Sequence, residues 1–588
     1  MTQLVDWRPP HQAVGLDLNG DRNKKPGSIV DGASCRFVRG TGVFTGTGYR
    51  EGCDLATDDE VDALYGAKGG SLRDFDSLWA KSGTDVFHNC QTVNPFSIGV
   101  TRTDGEREFF LEQGNGDIML INQEDTFSRV AIAATIAEVT IAGDTISVGT
   151  AFIDKFAAGT DVVYLDGIAI TYTTKNSGAG TLTGLTGVPA AGFTANVLVT
   201  QVSEPGSAVD VTGTAIKGYC GMSIEGSALV AGRKGAEDVV FYSAPSTFQN
   251  PEFFYDFTAN GANAKVMPMP VSAMIRGTVR GYIFGEKEAH AVTGFDTNTG
   301  ILQTVPVTND YGAYNERCVI DMGGGAVGFL GQNRFIPINL STDSSGQLAS
   351  LPDDDFDYAI SPWLAQFDAD QADAAMLQYD KALRIVTIAG KIDGVLRTRT
   401  FQNQKGLKAY NPQEVRPARC HAYFQGISYF GQNTGDKIFI NHSSRTNNGI
   451  PIKHEWLTPK LEDKLEREVM LKEFLNRGFM SQGSEIRIRV YRNGSSTASF
   501  DRTYGDDIIT SNRGTPLGNQ GLGDASLGGS TGSPTILVYP YKLKILLVGI
   551  TGEDFQIQWT ITKEGAFVQS NYYVLTGDAL RFSAGEAV

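Results

Sequence analysis

Short apolar runs separated by tight polar turns dominate the pattern of hydrophobic and polar positions in this chain. The runs are rich in Val, Ile, Phe, Tyr and Thr, which suit a pleated, half-buried strand better than a helix. The 69 glycines are spread along the chain with Asn, Asp, Ser and Thr rather than collected in one linker. Such spacing is typical of many tight turns. The pattern therefore predicts a mostly β protein.

A recurring unit of strand, tight turn and strand begins at about residue 76. From the second copy onward, the starts of the copies are roughly 40 to 65 residues apart, a period typical of propeller blades. We therefore predict a β-propeller of about six blades. The six clearest copies cover residues 107–122, 228–245, 279–294, 319–339, 382–401 and 422–442.

The alternation inside these units agrees with blades that pack on both faces. In residues 280–286, Tyr282 and Phe284 share one face of the strand, and Ile283 lies between two glycines on the other. Both faces are therefore apolar or small, as stacked blades require. A two-sheet sandwich, which leaves one face of each sheet polar, is the alternative.

The remaining segments differ in character from the repeats. Residues 131–211 are rich in Ala, Thr, Gly and Val and poor in aromatic residues, and we interpret them as a small β domain inserted in a blade loop, where added length costs little. Residues 451–588 contain further clear strands. The predicted organisation is an N-terminal arm with first strands (1–75), a first part of the propeller (76–130), the insert (131–211), the main propeller (212–450) and a C-terminal β-sandwich (451–588).

Three segments carry other expectations. Residues 353–376 are the best helical candidate, with aspartates at the start and Trp363, Leu364 and Phe367 at helical spacing, and this helix would bridge two blades. Residues 452–479 fit one helix or two strands. Residues 505–533 are so rich in glycine that we predict a long loop, which is often an interaction element.

Composition and charge limit the classes of function. Hydrophobic residues make up 41% and charged residues 20% of the chain, which excludes a largely disordered protein. The formal net charge of −16 should repel nucleic acid, and there is no basic stripe interleaved with aromatics. A channel through which DNA slides is still permitted, because such a channel should not hold phosphates tightly.

The cysteines and the N-terminal sequence indicate neither a disulfide framework nor membrane association. The six cysteines are far apart and lack CxxC spacing, so we expect free buried thiols. The chain begins without a charged and then apolar leader, and no run of about 18 apolar residues occurs. The cysteines are Cys35, Cys53, Cys90, Cys220, Cys318 and Cys420.

Two short motifs in the sequence are candidate binding or catalytic signatures. GGGAVG at residues 323–328 fits G-x-G-x-x-G, but no helix pattern follows to direct an N-terminus at a phosphate, so a blade turn is favoured. STDSSGQ at residues 341–347 is a single, imperfect match to the aspartate box of sialidase-type propellers. The arginine trio and the Tyr/Glu pair of such enzymes are not identifiable in the sequence.

Two clusters of potential ligand residues are candidate metal sites. Asp353, Asp354, Asp355 and Asp357 lack the alternating ligands and fixed glycine of a calcium loop, which favours a solvated helix cap. His421 beside Cys420, with His442 further on, supplies too few converging ligands for a transition metal.

The usual hydrolase motifs, G-x-S-x-G and H-E-x-x-H, are absent from the sequence. Paired carboxylates occur in any chain with 66 Asp and Glu residues, so their presence decides nothing. We therefore predict a protein that is not an enzyme, with no catalytic, cofactor-binding or metal-binding residues and no cofactor.

An ordered series of segments runs through residues 220–500. The series is VVFYSAP, NPEFFYDF, MPMPVSAMIRGTVRGYIFGEKEAHAVTG and VTNDYGAYNERCVIDMGGGAVGFLGQNRFIPI, then MLQYDKALRIVTIAG at residues 376–390 and IKHEWLTP at residues 452–459. This series resembles the propeller of tail nozzle or tail-hub proteins (the tail tubular protein B-like family) of short-tailed bacteriophages. The insert at residues 131–211 has no counterpart in this pattern.

The resemblance implies a structural virion protein, assembled in the host cytoplasm, that forms a ring, usually a homohexamer, below the portal and its adaptor. Such a ring continues the DNA channel, retains the genome and opens for ejection, and tail fibres or spikes attach to its side. Residues 505–533 or 131–211 are the candidate gate. A carbohydrate-active propeller and a host-receptor-binding module at the tail tip are the alternatives.

Overall fold

The structure, a computed structural model, is that of a mostly β protein, as predicted. One α-helix, α1 (Ser361–Leu364), and short 3₁₀ turns at Ile153–Lys155 and Glu316–Cys318 interrupt the strands of the described residues. Within the same residues no helix has the length and apolar character needed to cross a membrane. The structure describes residues 3–7, 15–16, 28–29, 31–33, 35–38, 42–45, 48–68, 76–113, 116–203, 209–245, 256–258, 262–296, 299–323, 325–342, 348–353, 356–357, 360–371, 374–404, 407–410, 416–444, 446–452, 454–458, 460–462, 468–481, 483–505, 538–561 and 568–579.

The N-terminal segment forms strands that are completed by partners far along the chain. These are β1 (Gln3–Trp7), β2 (Gly15–Leu16), β3 (Ser28–Ile29), β4 (Asp31–Ala33), β5 (Cys35–Val38), β6 (Gly42–Thr45) and β7 (Gly48–Asp54).

Sheet one and sheet two follow. Sheet one is an antiparallel meander of β8 (Val61–Ala67), β9 (Ser77–Ser82), β10 (Asp85–His88) and β11 (Phe96–Thr101). Sheet two begins with β12 (Phe109–Glu112), β13 (Ile118–Ile121) and β14 (Ser128–Ala134). Between β14 and its next partner lie β15 (Thr145–Ser147), β16 (Asp161–Leu165), β17 (Ile168–Tyr172), β18 (Thr174–Asn176) and β19 (Thr181–Thr183), and then comes β20 (Leu198–Ser203).

Sheets three to six repeat the four-stranded meander. Sheet three has β21 (Cys220–Ile224), β22 (Ser227–Arg233), β23 (Ala236–Tyr242) and β24 (Asn263–Val266). Sheet four has β25 (Ala273–Arg276), β26 (Gly281–Phe284), β27 (Ala289–Phe295) and β28 (Leu302–Thr308). Sheet five has β29 (Val319–Gly323), β30 (Ala326–Gly331), β31 (Arg334–Thr342) and β32 (Leu348–Pro352). Sheet six has β33 (Met376–Asp380), β34 (Ile385–Ile392), β35 (Val395–Gln404) and β36 (Leu407–Tyr410).

Sheet seven takes its fourth strand from the N-terminal segment. Its own strands are β37 (Ala418–Phe424), β38 (Ile427–Gln432) and β39 (Lys437–Ser444), and β7 pairs antiparallel with β39. Tyr49 of β7 packs edge-on against Phe430 and Phe439, with ring centroids 5.1 and 5.0 Å away. Two short strands, β40 (Thr446–Asn447) and β41 (Ile450–Pro451), extend the sheet beyond β7.

The first strands of these seven sheets contact one another in chain order. Contacts join β8 to β12, β12 to β21, β21 to β25, β25 to β29, β29 to β33 and β33 to β37, and β37 contacts β8 again. Both faces of the sheets are buried, as Tyr282, Ile283 and Phe284 of β26 show. We call this part of the molecule the seven-sheet region.

The described strands from β42 onward form two further sheets with strands of the N-terminal segment, and we call these two sheets the C-terminal pair. Its strands are β42 (His454–Leu457), β43 (Leu461–Glu462), β44 (Val469–Ser481), β45 (Glu485–Arg492), β46 (Phe500–Gly505), β47 (Val538–Leu546), β48 (Thr551–Gly552), β49 (Asp554–Ile561) and β50 (Val568–Ala579). One sheet runs β47-β44-β50-β6-β5, with β1 on β50, and the other runs β4-β42-β49-β45-β46. Apolar residues of both sheets share one core, in which Trp456 and Trp559 stack.

Two segments clarify the sequence-based expectations. The helix expected over 353–376 is wrong for most of its length, because only Ser361–Leu364 is α-helical within its described part. Trp363, Leu364 and Phe367 are nevertheless buried, in the core that joins sheets five and six. The strand alternative holds for 452–479, which contains β42, β43 and β44.

The segment between β14 and β20 is attached to sheet two by a continuous ladder. Strand β16 pairs with β20, so sheet two runs β12-β13-β14-β20-β16-β17. The segment has a core of its own around Phe156, Val163 and Leu182. Its Tyr164 lies directly over Gly99 of β11, where a Cβ atom would be 1.8 Å from the tyrosine ring. Glycine at position 99 therefore lets this segment rest on sheet one as well.

Candidate functional site

Six charged residues from four sheets meet where the first strands of the seven-sheet region begin. The ion pairs join residues far apart in sequence, and we call the set the inter-sheet charge network. Its members are Asp62 on β8, Lys81 on β9, Arg107 just before β12, Glu316 and Arg317 in the 3₁₀ turn before β29, and Arg419 on β37.

The contacts within the network form a closed circuit. Arg107 Nη1 lies 3.2 Å from Glu316 Oε1, and the next residue, Arg317, donates a hydrogen bond to the carbonyl oxygen of Arg419. Arg419 Nη2 lies 2.9 Å from Asp62 Oδ1. Lys81 Nζ completes the circuit, because it lies 2.7 Å from Asp62 Oδ2 and donates to the carbonyl oxygen of Glu106, the neighbour of Arg107.

The circuit also joins sheets that are not neighbours. Sheets two and five are not neighbours in the order of contacts, yet Arg107 and Glu316 bridge them directly. Lys81 is fully buried and Asp62 nearly so. A buried charge is tolerated only when it is paired and hydrogen-bonded, so the network fixes the relative positions of the sheets from which it comes.

The titratable groups around the network are held in unreactive states at neutral pH. The pKa of Arg317 is lowered to about 10, mainly by burial and in second place by the positive charge of Arg107. Burial raises the pKa of Cys318 and of Cys420 to about 12, so neither thiol supplies a thiolate nucleophile. Burial, followed by the charges of Arg416 and Arg317, lowers the pKa of His421 to about 3 and keeps its imidazole neutral.

A second charged group lines an open cleft of about 340 Å³ between β11 and β20. Arg102 makes a two-pronged contact with Glu108, at 3.0 and 2.9 Å, and also donates to Ser128 Oγ. Burial raises the pKa of Glu108, and the adjacent Arg102 opposes that shift. Asn122 donates to both Glu108 and Asp125. Because these polar groups bind one another, they support the wall of the cleft.

A third charged group anchors the segment between β14 and β20. The buried carboxylate of Asp117 lies 2.6 Å from Arg129 Nη2 and 2.7 Å from Lys155 Nζ. Lys155 also donates to the carbonyl oxygen of Ile132. Burial lowers the pKa of Lys155, and Asp117 opposes this effect. The segment is therefore fastened to sheet two by a buried ion pair as well as by the ladder.

The two sequence motifs do not form sites in the described residues. GGGAVG begins at the end of β29 and ends in β30, two strands that pair antiparallel with Gly323 opposite Ala326, so a strand and not a helix follows these glycines. Gly324 lies outside the described residues. STDSSGQ begins at the end of β31, and its residues 343–347 lie outside the described residues.

The acidic cluster has a structural partner. Asp357 is buried and accepts hydrogen bonds from Arg334, at 2.9 to 3.1 Å, and from the backbone N–H of Phe335. Asp354 and Asp355 lie outside the described residues. Asp357 thus secures the connection between sheets five and six.

The histidine and cysteine candidates do not converge on a metal. His421 lies on β37 and His442 on β39, and no group of three or more His, Cys, Asp or Glu side chains suited to a metal occurs among the described residues. Cys53, Cys90, Cys220, Cys318 and Cys420 are free and buried, as expected, and the side chain of Cys35 lies outside the described set.

Sequence reasoning missed the inter-sheet charge network entirely. The available signal was a charged residue inside an otherwise buried strand, as with Lys81 in SLWAKS and Arg419 in ARCHAYF. Such a residue needs a buried partner of opposite charge. The sequence does not show which of the 66 acidic residues that partner is.

Comparison with known proteins gives no family for this chain. No family model matches it, and no curated protein matches it. Among solved structures, Hsv2 of Kluyveromyces lactis with its complete loop 6CD has 7% sequence identity and a TM-score of 0.25, over 61% of this chain and 99% of that chain. KlHsv2 with loop 6CD replaced by a Gly-Ser linker gives 7% identity, a TM-score of 0.24 and the same coverage. Similarity this low supports no conclusion about the fold or the function of this chain.

Proposed function

We propose that this chain is a structural subunit of the tail of a short-tailed bacteriophage, where it forms the nozzle or hub ring. In this proposal the seven-sheet region is a β-propeller of seven blades, rather than the expected six or so, and the C-terminal pair is a β-sandwich. The observation that carries the proposal is the way the N-terminal segment fastens both parts. Strand β7 completes sheet seven, and β1, β4, β5 and β6 complete the C-terminal pair.

This double fastening suits a scaffold that bears load. Strand β1 pairs with β50 over five residues, and β7 pairs with β39 along most of its length. Opening either part therefore requires several backbone hydrogen bonds to break together, and the edges that they cover are not left open to other chains. A ring that retains a pressurised genome needs this resistance to partial opening.

The inter-sheet charge network bears on the path of DNA in this proposal. Arg107 and Glu316 join sheets two and five directly, which argues against a passage for DNA between these sheets. In our proposal the genome moves through a channel between the copies of the ring, not through the propeller of one copy. The net charge of −16 suits a channel that does not bind phosphates.

The proposed partners follow from this role. They are further copies of the chain, probed first as a homohexamer, the portal-adaptor protein, tail fibres or spikes, and genomic DNA without sequence recognition. The protein would be located in the virion tail. The two gate candidates are residues 505–533 and 131–211. Residues 506–533 of the first lie outside the described residues, and the part of the second between β14 and β20 is fastened to sheets one and two.

Electron microscopy of the purified protein and of tails assembled with it tests the proposal. We expect rings of identical copies in the purified protein and density for the chain below the portal in particles. A protein that remains monomeric and never enters a particle would overturn the proposal.

A receptor-binding role is the second candidate, since the segment between β14 and β20 exposes Ile136 by 63% and Ile141 by 66%. The test is to replace residues 136–196 by an Asn-Gly turn. Thr135 N donates to Val197 O at 2.9 Å, so the flanking strands are already close enough for a two-residue turn. Particles that assemble but fail to adsorb to host cells would favour this role, and particles that adsorb normally would exclude it for this segment.

A further inference from the structure

Other parts of the chain cover the outer edges of some of the seven sheets and leave the outer edges of others uncovered. Sheet two is continued by β16, sheet seven is continued by β40, and the edge strand β36 of sheet six contacts β2 and β5. Tyr164 covers β11 of sheet one. By contrast, no described strand pairs with the outer side of β24, β28 or β32, the edge strands of sheets three, four and five. An open sheet edge is a ready place for another chain to bind.

The edges of β24 and β28 form one apolar and acidic surface, which we call the open edge. Lys265 of β24 donates to the carbonyl oxygen of Leu302 on β28 at 2.7 Å, so the two strands are adjacent. Val266 is 68% exposed and Val305 is 52% exposed. The backbone of Asp238 bonds to Met267 just after β24, and Asp296 and Asp310 stand shortly before and after β28 in the chain, so acidic residues occur near the ends of both strands. The ammonium group of Lys265 on β24 is turned to Leu302.

Another unpaired sheet edge, with positive charge, lies on the C-terminal pair. Strand β47 is the last strand of its sheet, and among the described strands it pairs with β44 alone. Lys542 and Lys544 alternate with buried residues along it. Lys544 Nζ lies 2.8 Å from Glu473 Oε2 of β44, so among the described residues Lys542 carries the unpaired positive charge of this edge, and Leu546 and Val548 at its end are 68% and 81% exposed. We call this surface the lysine edge.

Charge decides which surfaces can meet. Two lysine edges would bring lysines against lysines, and two open edges would bring carboxylates against carboxylates, so contact of either edge with its own copy is unfavourable. Contact between the open edge and the lysine edge places opposite charges around apolar side chains on both sides. Such a contact uses different surfaces of the two copies, and repeating it closes a ring when the rotation permits.

We propose that the open edge of one copy binds the lysine edge of the next copy, and that this contact builds the ring. The proposal rests on the proposed function, because it names the surface that the ring requires. Pro306 on β28 lacks an N–H donor and interrupts the row of backbone groups. The contact is therefore made mainly by side chains, and not by one continuous ladder across the two copies.

Charge reversal tests the surfaces. Val305→Lys and Lys542→Glu each place like charges in the contact, and each should weaken association between copies by about 100-fold or more in mass photometry. The double variant with both changes should recover most of the association. Val93→Lys, at an exposed valine of sheet one away from both edges, is the matched control and should form rings like the unmodified protein.

Engineered cysteines identify the pairing directly, since the described native cysteines are buried. Val305→Cys and Val548→Cys should each give no disulfide-linked dimer alone, whereas their mixture should give one. A linked dimer from Val305→Cys alone, or rings that persist unchanged in Val305→Lys and Lys542→Glu, would overturn this inference while leaving the proposed function standing. If the unmodified protein forms no ring at all, the proposed function fails together with it.

Discussion

The seven-sheet region and the C-terminal pair bury different kinds of side chain. The seven-sheet region buries ion pairs, such as Lys81 with Asp62 and Arg102 with Glu108. The core shared by the C-terminal pair is apolar, and Phe474 packs edge-on against Trp559, which stacks on Trp456. The same chain thus uses two means of holding sheets together.

The difference follows from how the sheets meet. The two sheets of the C-terminal pair meet face to face, and alternate residues of each strand fill the space between them, as the alternating burial of β45 shows. In the seven-sheet region, contacts must be made between sheets that are not neighbours. Long charged side chains such as those of Arg107 and Glu316 bridge that distance. Apolar packing therefore stabilises both parts, and in the seven-sheet region a few buried charged contacts also join sheets that are not neighbours.

The largest expected effect is in the apolar core of the C-terminal pair. Trp559→Ala removes a fully buried ring that stacks on Trp456 at 5.7 Å, and should lower the free energy of unfolding of this part by about 4 kcal/mol. Urea unfolding followed by tryptophan fluorescence and circular dichroism should show the loss at every salt concentration. A loss below about 1 kcal/mol would show that the stack is not central to this core.

The buried pair of Arg102 and Glu108 gives the next effect. Arg102→Ala leaves a buried carboxylate without its main partner and should cost about 3 kcal/mol. Replacing both residues, by Arg102→Met and Glu108→Leu, should restore most of this stability, because no uncompensated charge is then buried. Urea unfolding of the single and double variants checks this prediction. Equal losses in both would mean that the pair contributes mainly through packing.

Lowering the pH should decrease the stability of the seven-sheet region through protonation of His88. Burial lowers the pKa of His88 to about 4, below the value of about 6.5 in an unfolded chain, so the unfolded state binds more protons between these values. Stability should therefore fall as the pH decreases through this window, by about 1–2 kcal/mol between pH 6.5 and pH 5. Unfolding curves across this range for the protein and for His88→Gln check this. A variant with an unchanged pH slope would contradict it.

An exposed ion pair should matter least. Lys437 Nζ lies 2.7 Å from Glu51 Oε2 between β39 and β7, with both side chains more than a third exposed. Lys437→Gln should change the free energy of unfolding by less than about 0.5 kcal/mol, and added salt should remove the difference. A change as large as that of Arg102→Ala would mean that exposure does not separate the two kinds of pair.

The sequence was informative where a feature is local. The six repeated units lie on sheets two to seven, one unit to each sheet, because a hairpin combines apolar alternation with a tight turn over about 20 residues. Sheet one was missed because its strand β9 carries Lys81 and Ser82 in fully buried positions, which hides the apolar pattern.

Long-range features could not be predicted in the same way. Nothing in GYREGCD, the sequence of β7, shows that it pairs with a strand nearly 400 residues later. The inter-sheet charge network is equally hidden, because the partners of Lys81 and Arg317 are chosen by the folded arrangement and not by spacing along the chain. The helix expected over 353–376 failed because burial of Trp363, Leu364 and Phe367 needs only one helical turn between two sheets.

Single-particle cryo-electron microscopy of the purified protein, at a resolution that separates strands, tests the central claim most directly. The account predicts rings of identical copies, each with seven four-stranded sheets around one axis and strand β7 in the last of them. It also predicts contact between β28 of one copy and β47 of the next. Isolated copies, or an open row of sheets with the N-terminal strand detached from β39, would contradict the account.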